Sequence, residues 1–261
     1  MDIFQAIILG VLQGITEFLP VSSSGHLTLL QKIFGIEEGV LTFNITVHFA
    51  TLAGVFVVYW EEIKNILKKP FGKLSLLIIA GTIPTAIIGF LFKDVFEGLA
   101  KSGDTLGICF ILTGLILWAA EKMKPLGKNL EKTTFFDAGI VGVAQGIAIL
   151  PAISRSGLTL AGSLFRGIDR KFALKLSFLM SIPAILGAAT LDGIKLIKDG
   201  GGEIEVLPLI IGAIFAALSG YIAIKFMIRI FMKASLKMFS YYVFILGILV
   251  LSDQFIFNIF F

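Results

Sequence analysis

Cysteine and charge are both scarce in this sequence. The single cysteine, Cys109, lies inside an apolar run, so the chain offers no disulfide framework and no cysteine-based metal site. Charged residues make up 15% of the chain, against about 25% in an average soluble protein. This scarcity, together with 57% apolar residues and a mean hydropathy of +0.96, excludes disordered, collagen-like, coiled-coil and nucleic-acid-binding classes. The composition is that of a polytopic membrane protein.

Apolar runs of membrane-spanning length fill most of the chain. About 20 helical residues cross the ~30 Å hydrocarbon core of a bilayer. The N-terminal residues lack the basic region and cleavage pattern of a signal peptide, so we expect the first apolar segment to be retained. Six runs have the required length, namely 42–60, 74–92, 105–121, 172–194, 205–228 and 238–260.

Two further apolar stretches, 2–34 and 134–167, are interrupted near their middles. Each interruption is a proline, Pro20 or Pro151, followed by serines and a glycine, which favour turns and helix starts. A helix break at membrane depth is tolerated only inside protein or beside water. We therefore predict an all-α polytopic membrane protein with six transmembrane helices plus two re-entrant helical hairpins.

The distribution of lysine and arginine supports this arrangement. Short cytoplasmic loops accumulate basic residues, and the predicted cytoplasmic segments hold 16 of them against 5 on the opposite side. Arg155 alone lies within a hairpin break. The alternation predicts that the first hairpin enters from outside and the second from the cytoplasm, with both termini outside.

The chain also contains an internal repeat. The segment Ile8–Ile15 matches Ile140–Ile147 at an offset of 132 residues, and the serines and glycine of the two breaks match at the same offset. We predict one membrane domain, 1–261, built from homologous halves of about 1–130 and 131–261. Because each half crosses the membrane an odd number of times, the halves form an inverted-topology repeat, which places a site where the broken helices meet.

The ionisable residues deepest within the predicted hairpins are Glu17, His26 and Arg155. A charge at membrane depth costs at least about 2.5 kcal/mol, so such residues are candidates for function. A purely structural alternative is that Arg155 pairs with Glu17 to hold the hairpins together. His26 is the candidate for acid–base chemistry, with a hydrogen-bonded structural histidine as the alternative. His48, alone in a full span, is interpreted as a packing or loop-contacting residue.

The serines of the breaks favour an anion site. Half-helices that begin near Ser22 and Ser154 direct free N–H groups and positive dipole ends into the breaks, and Arg155 can bind phosphate with two hydrogen bonds. The alternative is that the serines only cap helices. Gln13 and Glu17 share a helix face, where they could hold a divalent cation; alternatively, Glu17 acts as a general base or orients His26.

At these residues the sequence resembles the bacterial undecaprenyl-diphosphate phosphatase family, also called bacitracin-resistance proteins. One family motif is (E/Q)xxxE followed by PxSSxGH, which here runs from Gln13 to His26. The other is PGxSRSG, which here is Pro151 to Gly157 with Ala152 in place of the usual glycine. The presence of Gln13 instead of glutamate weakens the case for a cation held by two carboxylates.

The resemblance implies hydrolysis of a C55 polyprenyl diphosphate to the monophosphate and inorganic phosphate, assisted by Mg²⁺ or Ca²⁺. This reaction recycles the lipid carrier of cell-wall synthesis and confers bacitracin resistance. The resemblance also implies a multi-pass protein of the inner (cytoplasmic) membrane whose active site opens to the outer face. We expect the lipid substrate and membrane lipids as binding partners, and we expect no nucleic acid. A homodimer is compatible with the sequence.

The expected roles divide the site residues into three groups. The resemblance implies that Ser23 attacks phosphorus or positions the attacking water, and the sequence does not decide between the two. An inverted-repeat transporter or flippase of an anion or lipid phosphate is the rival function, because it too would use broken helices. The catalytic set is Glu17, Ser23, His26 and Arg155; the substrate-binding set is Gln13, Ser22, Ser24, Gly25, Ser154, Ser156 and Gly157; and the metal ligands are Glu17 and Gln13.

Overall fold

The computed structural model describes residues 1–124, 126–198, 205–233 and 235–260. Within these ranges every helix or strand element is helical, and one isolated β-bridge pairs Lys128 with Ile168. A π-helical turn, Asp253–Phe257, follows the last α-helix. The helices are α1 Ile3–Phe18, α2 Ser23–Ile33, α3 Val40–Val58, α4 Trp60–Lys68, α5 Lys73–Leu91, α6 Lys93–Ser102, α7 Leu106–Glu121, α8 Phe135–Ile147, α9 Arg155–Phe165, α10 Arg170–Lys198, α11 Val206–Phe231 and α12 Lys237–Ser252.

Five segments within the described ranges are long and apolar enough to cross a membrane. They are α3, α5, α10, α11, and α12 with its π-helical turn. The predicted sixth span, 105–121, forms α7, which has only 16 residues and a length of about 24 Å. The multi-pass, all-helical class is therefore observed, whereas six spans plus two re-entrant hairpins stays a prediction.

Both predicted helix breaks are present. The chain leaves α1 at Leu19 and resumes with Ser22 as the N-cap of α2. It leaves α8 at Ala148 and resumes with Ser154 as the N-cap of α9. Proline in each break removes a backbone donor, and a serine hydroxyl then accepts from the first turn of the next helix, which explains why the helices stop and restart here.

The helices of the two halves pack in matching pairs. Helix α1 packs along α11, and α8 packs along α5. Each pair crosses at glycines whose backbones touch: a Cβ on Gly10 would lie 2.4 Å from the carbonyl oxygen of Gly212, and one on Gly142 would lie 2.0 Å from that of Gly81. Small residues allow this close approach between helices in membranes.

The second half-helix is enclosed by protein. Every residue of α9 from Ser156 to Leu164 is buried, with α7, α8 and α10 packed around it. Nearby, Phe18 at the end of α1 packs edge-to-face against Phe178 of α10, with ring centroids 5.4 Å apart. Tightly packed apolar side chains therefore surround the helices next to the two breaks that carry the candidate residues.

Candidate active site

The two helix breaks are hydrogen-bonded to each other. The Ser24 hydroxyl accepts a hydrogen bond from the backbone N–H of Ala152 at 3.4 Å. In the opposite direction, the Ser156 hydroxyl donates to the carbonyl of Leu19 at 2.9 Å. Serines predicted to line the site thus hold the breaks together, and residues more than 125 positions apart in sequence share one site.

The two half-helices begin with the same cap. Ser22 Oγ accepts from the N–H of Gly25 at 3.3 Å, and Ser154 Oγ accepts from the N–H of Gly157 at 3.0 Å. The earlier N–H groups of each first turn have no intrahelical acceptor, as at any helix N-terminus. Both N-termini therefore present donors and partial positive charge at the junction of the breaks.

Glu17 is the centre of the polar network. Its Oε2 atom accepts hydrogen bonds from Gln13 Nε2 at 2.8 Å and from Ser23 Oγ at 2.6 Å. Its Oε1 atom accepts from Arg155 Nη2 at 2.5 Å. The structure thus brings together three of the four residues expected to be catalytic, and it contains the ion pair that the structural alternative for Arg155 requires.

The members of this network differ in access. The Glu17 residue is 6% exposed, whereas Ser23 and Arg155 are only half-buried. A buried carboxylate needs hydrogen bonds and a countercharge to stay ionised, and the three donors supply them. The hydroxyl and guanidinium are therefore more accessible than the carboxylate that they contact.

Two buried polar atoms of the network have no hydrogen-bond partner among the described residues. They are Arg155 Nη1, a donor, and Gln13 Oε1, an acceptor. A buried group of this kind costs about 1–3 kcal/mol when unsatisfied, so such atoms mark places where a ligand or water belongs. The pair offers one hydrogen bond to an anion and one oxygen to a cation.

His26 lies beside this network but is held by other groups. Its Nδ1 atom is 2.6 Å from the Ser22 carbonyl oxygen, and its Nε2 atom is 2.8 Å from the hydroxyl of Tyr242. Phe110 packs edge-to-face against the imidazole, with the two ring centroids 5.4 Å apart. Both ring nitrogens are thus occupied by groups other than Ser23, and the hydroxyl hydrogen bond of Ser23 goes to Glu17 instead.

Sequence reasoning missed two neighbours of the site. His48, interpreted as a packing residue, has Nε2 only 3.6 Å from Glu17 Oε2, while its Nδ1 lies 2.7 Å from the Asn44 carbonyl. Tyr242, on α12, was not singled out. A lone polar residue in an apolar span is the available signal for His48, whereas no local motif marks Tyr242.

Oxygen ligands for a cation are few. No group of three or more His, Cys, Asp or Glu side chains suited to a metal occurs in the part of the chain that the structure describes. Gln13 Oε1 and the Glu17 carboxylate are oxygen donors of the kind that Mg²⁺ and Ca²⁺ prefer, and Gln13 Oε1 is buried without a partner. These donors are of the type that such a cation takes, although the Gln13 NH₂ group faces Glu17, and a cation bound by the two residues stays a prediction.

Both breaks contain a non-glycine residue with positive φ. Ser22 has φ +73° and Ala152 has φ +63°, a region that L-residues enter rarely. Ala152 is the position at which the related motif has glycine, which would adopt this conformation without strain. The departure from the motif therefore changes local strain and leaves every polar group of the site in place.

Comparison with known proteins gives a consistent result. The family described as "Bacitracin resistance protein BacA" matches residues 6–249. The "Undecaprenyl-diphosphatase" of Carboxydothermus hydrogenoformans is 60% identical over 256 residues, covering 97% of this chain and 98% of the relative. That of Halothermothrix orenii is 45% identical over 253 residues, covering 96% and 98%. A Bacillus cereus relative, "Undecaprenyl-diphosphatase 4", is 46% identical over 255 residues and covers 98% of both chains. The chain belongs to the BacA family of bacitracin-resistance proteins.

Proposed function

We propose that this protein is an undecaprenyl-diphosphatase, a membrane phosphatase that removes the terminal phosphate from a C55 polyprenyl diphosphate. The observation that carries the proposal is the hydrogen bond from Ser23 to Glu17 beside an arginine that keeps one nitrogen unpaired. The relatives that match nearly the whole chain carry the name of this activity. The product monophosphate is the lipid carrier of cell-wall synthesis.

Ser23 is the proposed nucleophile. Its O–H donates to Glu17 at 2.6 Å, so the carboxylate can accept the proton as Oγ attacks the terminal phosphorus. The bond from phosphorus to the bridging oxygen then breaks, and the lipid monophosphate leaves. Water attacks the resulting phosphoserine, which releases inorganic phosphate and restores the hydroxyl. In the alternative, Ser23 and Glu17 position a water molecule that attacks phosphorus directly.

Arg155 and the two half-helix N-termini are the proposed phosphate-binding groups. Arg155 Nη2 is held by Glu17, which leaves Nη1 directed to a phosphoryl oxygen. The N-termini of α2 and α9, with Ser24, Ser156 and their glycines, add N–H donors and positive potential. In phosphoryl transfer, preorganised positive charge of this kind stabilises the charge on the equatorial oxygens.

His26 is the proposed proton shuttle, and Gln13 with Glu17 is the proposed cation site. His26 Nε2 can take up and release a proton, because Nδ1 is held by the Ser22 carbonyl. When bound, Mg²⁺ or Ca²⁺ would neutralise part of the charge of the diphosphate. The unpaired Gln13 Oε1 supports this placement, with phosphate and water as the other ligands.

The site is proposed to lie at the junction of an inverted repeat in the cytoplasmic membrane, open to the outer face. Equivalent local structures support the repeat. Capping boxes begin α1 at Asp2 and Gln5 and begin α8 at Thr134 and Asp137, again 132 residues apart. The lysine-rich loops assigned to the cytoplasm support the orientation.

Phosphate release by purified protein tests the function. Protein in detergent, supplied with a C55 polyprenyl diphosphate and Mg²⁺, should yield inorganic phosphate and the monophosphate in equal amounts. Glu17→Gln serves as the inactive control, and Glu37→Gln, which changes an exposed carboxylate outside the site, serves as the active one. Absence of release in detergent, with flux of lipid phosphate in liposomes, would instead support the transporter.

Acid quenching distinguishes the two nucleophiles. If Ser23 attacks phosphorus, protein quenched during turnover should carry one phosphate on the peptide that contains Ser23. The Ser252→Ala variant, which removes a hydroxyl outside the site, should still trap phosphate, whereas Ser23→Ala should not. Turnover by Ser23→Ala close to the wild-type rate would contradict both proposed roles of this hydroxyl.

A further inference from the structure

Tyr242 lies against His26 from a distant part of the chain. Its hydroxyl is 2.8 Å from His26 Nε2, and the two rings are nearly parallel, with centroids 5.6 Å apart and an interplanar angle of 10°. The Tyr242 residue itself is 48% exposed, so packing alone does not explain this placement. Tyr242 lies in a candidate membrane span, where lipid-facing surface offers a hydroxyl no hydrogen-bond partner, and His26 Nε2 supplies one.

The other side of the imidazole defines its tautomer. A carbonyl oxygen only accepts hydrogen bonds, so the 2.6 Å contact with the Ser22 carbonyl requires the proton on Nδ1. As the N-cap carbonyl of α2, the same oxygen also accepts the first intrahelical hydrogen bond, from the backbone N–H of His26 at 3.3 Å. In the neutral ring Nε2 is then an acceptor, and it faces the Tyr242 hydroxyl.

A phenol hydroxyl can serve both protonation states of the ring. It donates to bare Nε2 in the neutral imidazole, and after rotation it accepts from Nε2–H in the imidazolium. Phenylalanine at this position would keep the ring contact but would leave Nε2 without a partner in either state. The hydroxyl therefore matters most to a histidine that gains and loses a proton during the reaction.

We infer that Tyr242 is a positioning residue of the phosphatase, which holds His26 for proton transfer at Nε2. The inference rests on the proposed function, because it assigns a role toward the proposed proton shuttle. Tyr242 acts through His26, so removing its hydroxyl should lower turnover while leaving substrate binding to Arg155 and the half-helices intact.

The first test separates kcat from KM. Tyr242→Phe should lower kcat roughly tenfold, the effect of one lost hydrogen bond of about 1.4 kcal/mol, and leave KM within twofold. Tyr241→Phe is the matched control, since Tyr241 is adjacent and 58% exposed, and it should match the wild type. An equal kcat for Tyr242→Phe and Tyr241→Phe would overturn the inference.

A double-variant cycle tests whether the effect passes through His26. In the His26→Gln background, Tyr242→Phe should change kcat less than twofold, because the group it positions is absent. A further tenfold loss in that background would overturn the inference, since Tyr242 would then act independently. Wild-type protein without any phosphate release would contradict the proposed function instead, so the two failures are distinguishable.

Nitrogen NMR gives a readout independent of activity. The chain has two histidines, so ¹⁵N-histidine labelling gives two sets of ring signals, and His26→Gln assigns one set by removing it. We expect a protonated Nδ1 and an unprotonated Nε2 for His26, and a shift of the Nε2 signal in Tyr242→Phe but not in Tyr241→Phe. Identical His26 signals in all three proteins would overturn the inference.

Discussion

At the scale of single residues, one carboxylate organises the site. Glu17 accepts hydrogen bonds from Gln13, Ser23 and Arg155, which come from α1, α2 and α9. An amide at this position would offer one acceptor atom and would direct its NH₂ group at other donors. Replacing the Glu17 carboxylate therefore removes a base and also disturbs the three donors that bind it. Both effects are independent of any role of Glu17 in binding a cation.

Glu17→Gln should lower the maximal rate of phosphate release at least 100-fold, even with saturating Mg²⁺. The reason is that Ser23 donates its hydrogen bond directly to Glu17, and loss of a general base costs about 10²–10⁴ in rate. The measurement is the rate of phosphate release at increasing concentrations of Mg²⁺ or Ca²⁺. Recovery of the full rate by excess cation would mean that Glu17 acts only as a cation ligand.

Arg155→Lys should lower kcat/KM roughly 100-fold although the charge is kept. One ammonium cannot both bind Glu17 and supply the second donor that Nη1 offers to phosphate. Steady-state kinetics measures the effect, with Arg229→Lys on the exposed face of α11 as the control. Equal activity of the two variants would restrict Arg155 to holding the hairpins together.

The site residues that sequence motifs identified differ from Tyr242, which they did not identify, in their distance from the helix breaks along the chain. Glu17, Ser23 and Arg155 could be predicted because each lies in or next to a break that is visible in the sequence. Tyr242 is 216 positions from His26, so only the packing of α12 brings them together. Such pairs depend on tertiary structure and leave no local pattern.

At the scale of helices, the proline and serine signals located both breaks, but one short helix was not predicted. The apolar run 105–121 agrees within one residue with α7, whose 16 residues are fewer than the ~20 of a full crossing, so its assignment as a span stays a prediction. The run 61–73, treated as a loop, contains most of the amphipathic helix α4. Hydropathy marks apolar runs of spanning length and does not mark a short amphipathic helix between them.

Gly142→Ala should lower the stability of the protein by about 1–3 kcal/mol, the usual cost of overpacking. The new Cβ would lie 2.0 Å from the backbone oxygen of Gly81, which cannot move aside as a side chain could. Thermal unfolding in detergent measures the change. Gly139→Ala, one turn earlier on α8 with open space around it, is the control, and equal melting temperatures would contradict the close helix crossing.

At the scale of the whole molecule, the basic residues and the helix breaks make a joint prediction about sidedness. Loops 61–73 and 122–132 carry most of the lysines that precede the second hairpin. If the second hairpin crossed the membrane fully, the basic segment 166–175 that follows it would lie on the opposite side from loop 122–132, against their shared positive charge. The re-entrant arrangement is therefore the one that the charges favour.

Cysteine labelling of intact cells tests this orientation. In a Cys109→Ala background, single cysteines at Glu37 and at Asp104, the exposed neighbour of the buried Gly103, should react with an impermeant maleimide, and those at Asn65 and Asn129 should react only after permeabilisation. A third outer position, Gly202, lies outside the described residues. Labelling of Asn129 from outside would contradict the re-entrant second hairpin.

The two half-helices give Glu17 different partners from equivalent positions. Ser23 and Arg155 are each the first helical residue of a half-helix, they are 132 residues apart, and both donate to the same carboxylate. At that separation Glu17 and His26 correspond to Ile149 and Leu158. Two copies of the first half would therefore hold two carboxylates and no guanidinium, and two copies of the second would hold two buried guanidinium groups and no carboxylate. A chain made of two identical halves could therefore not contain this site, because its carboxylate and its guanidinium each require a residue that the other half lacks.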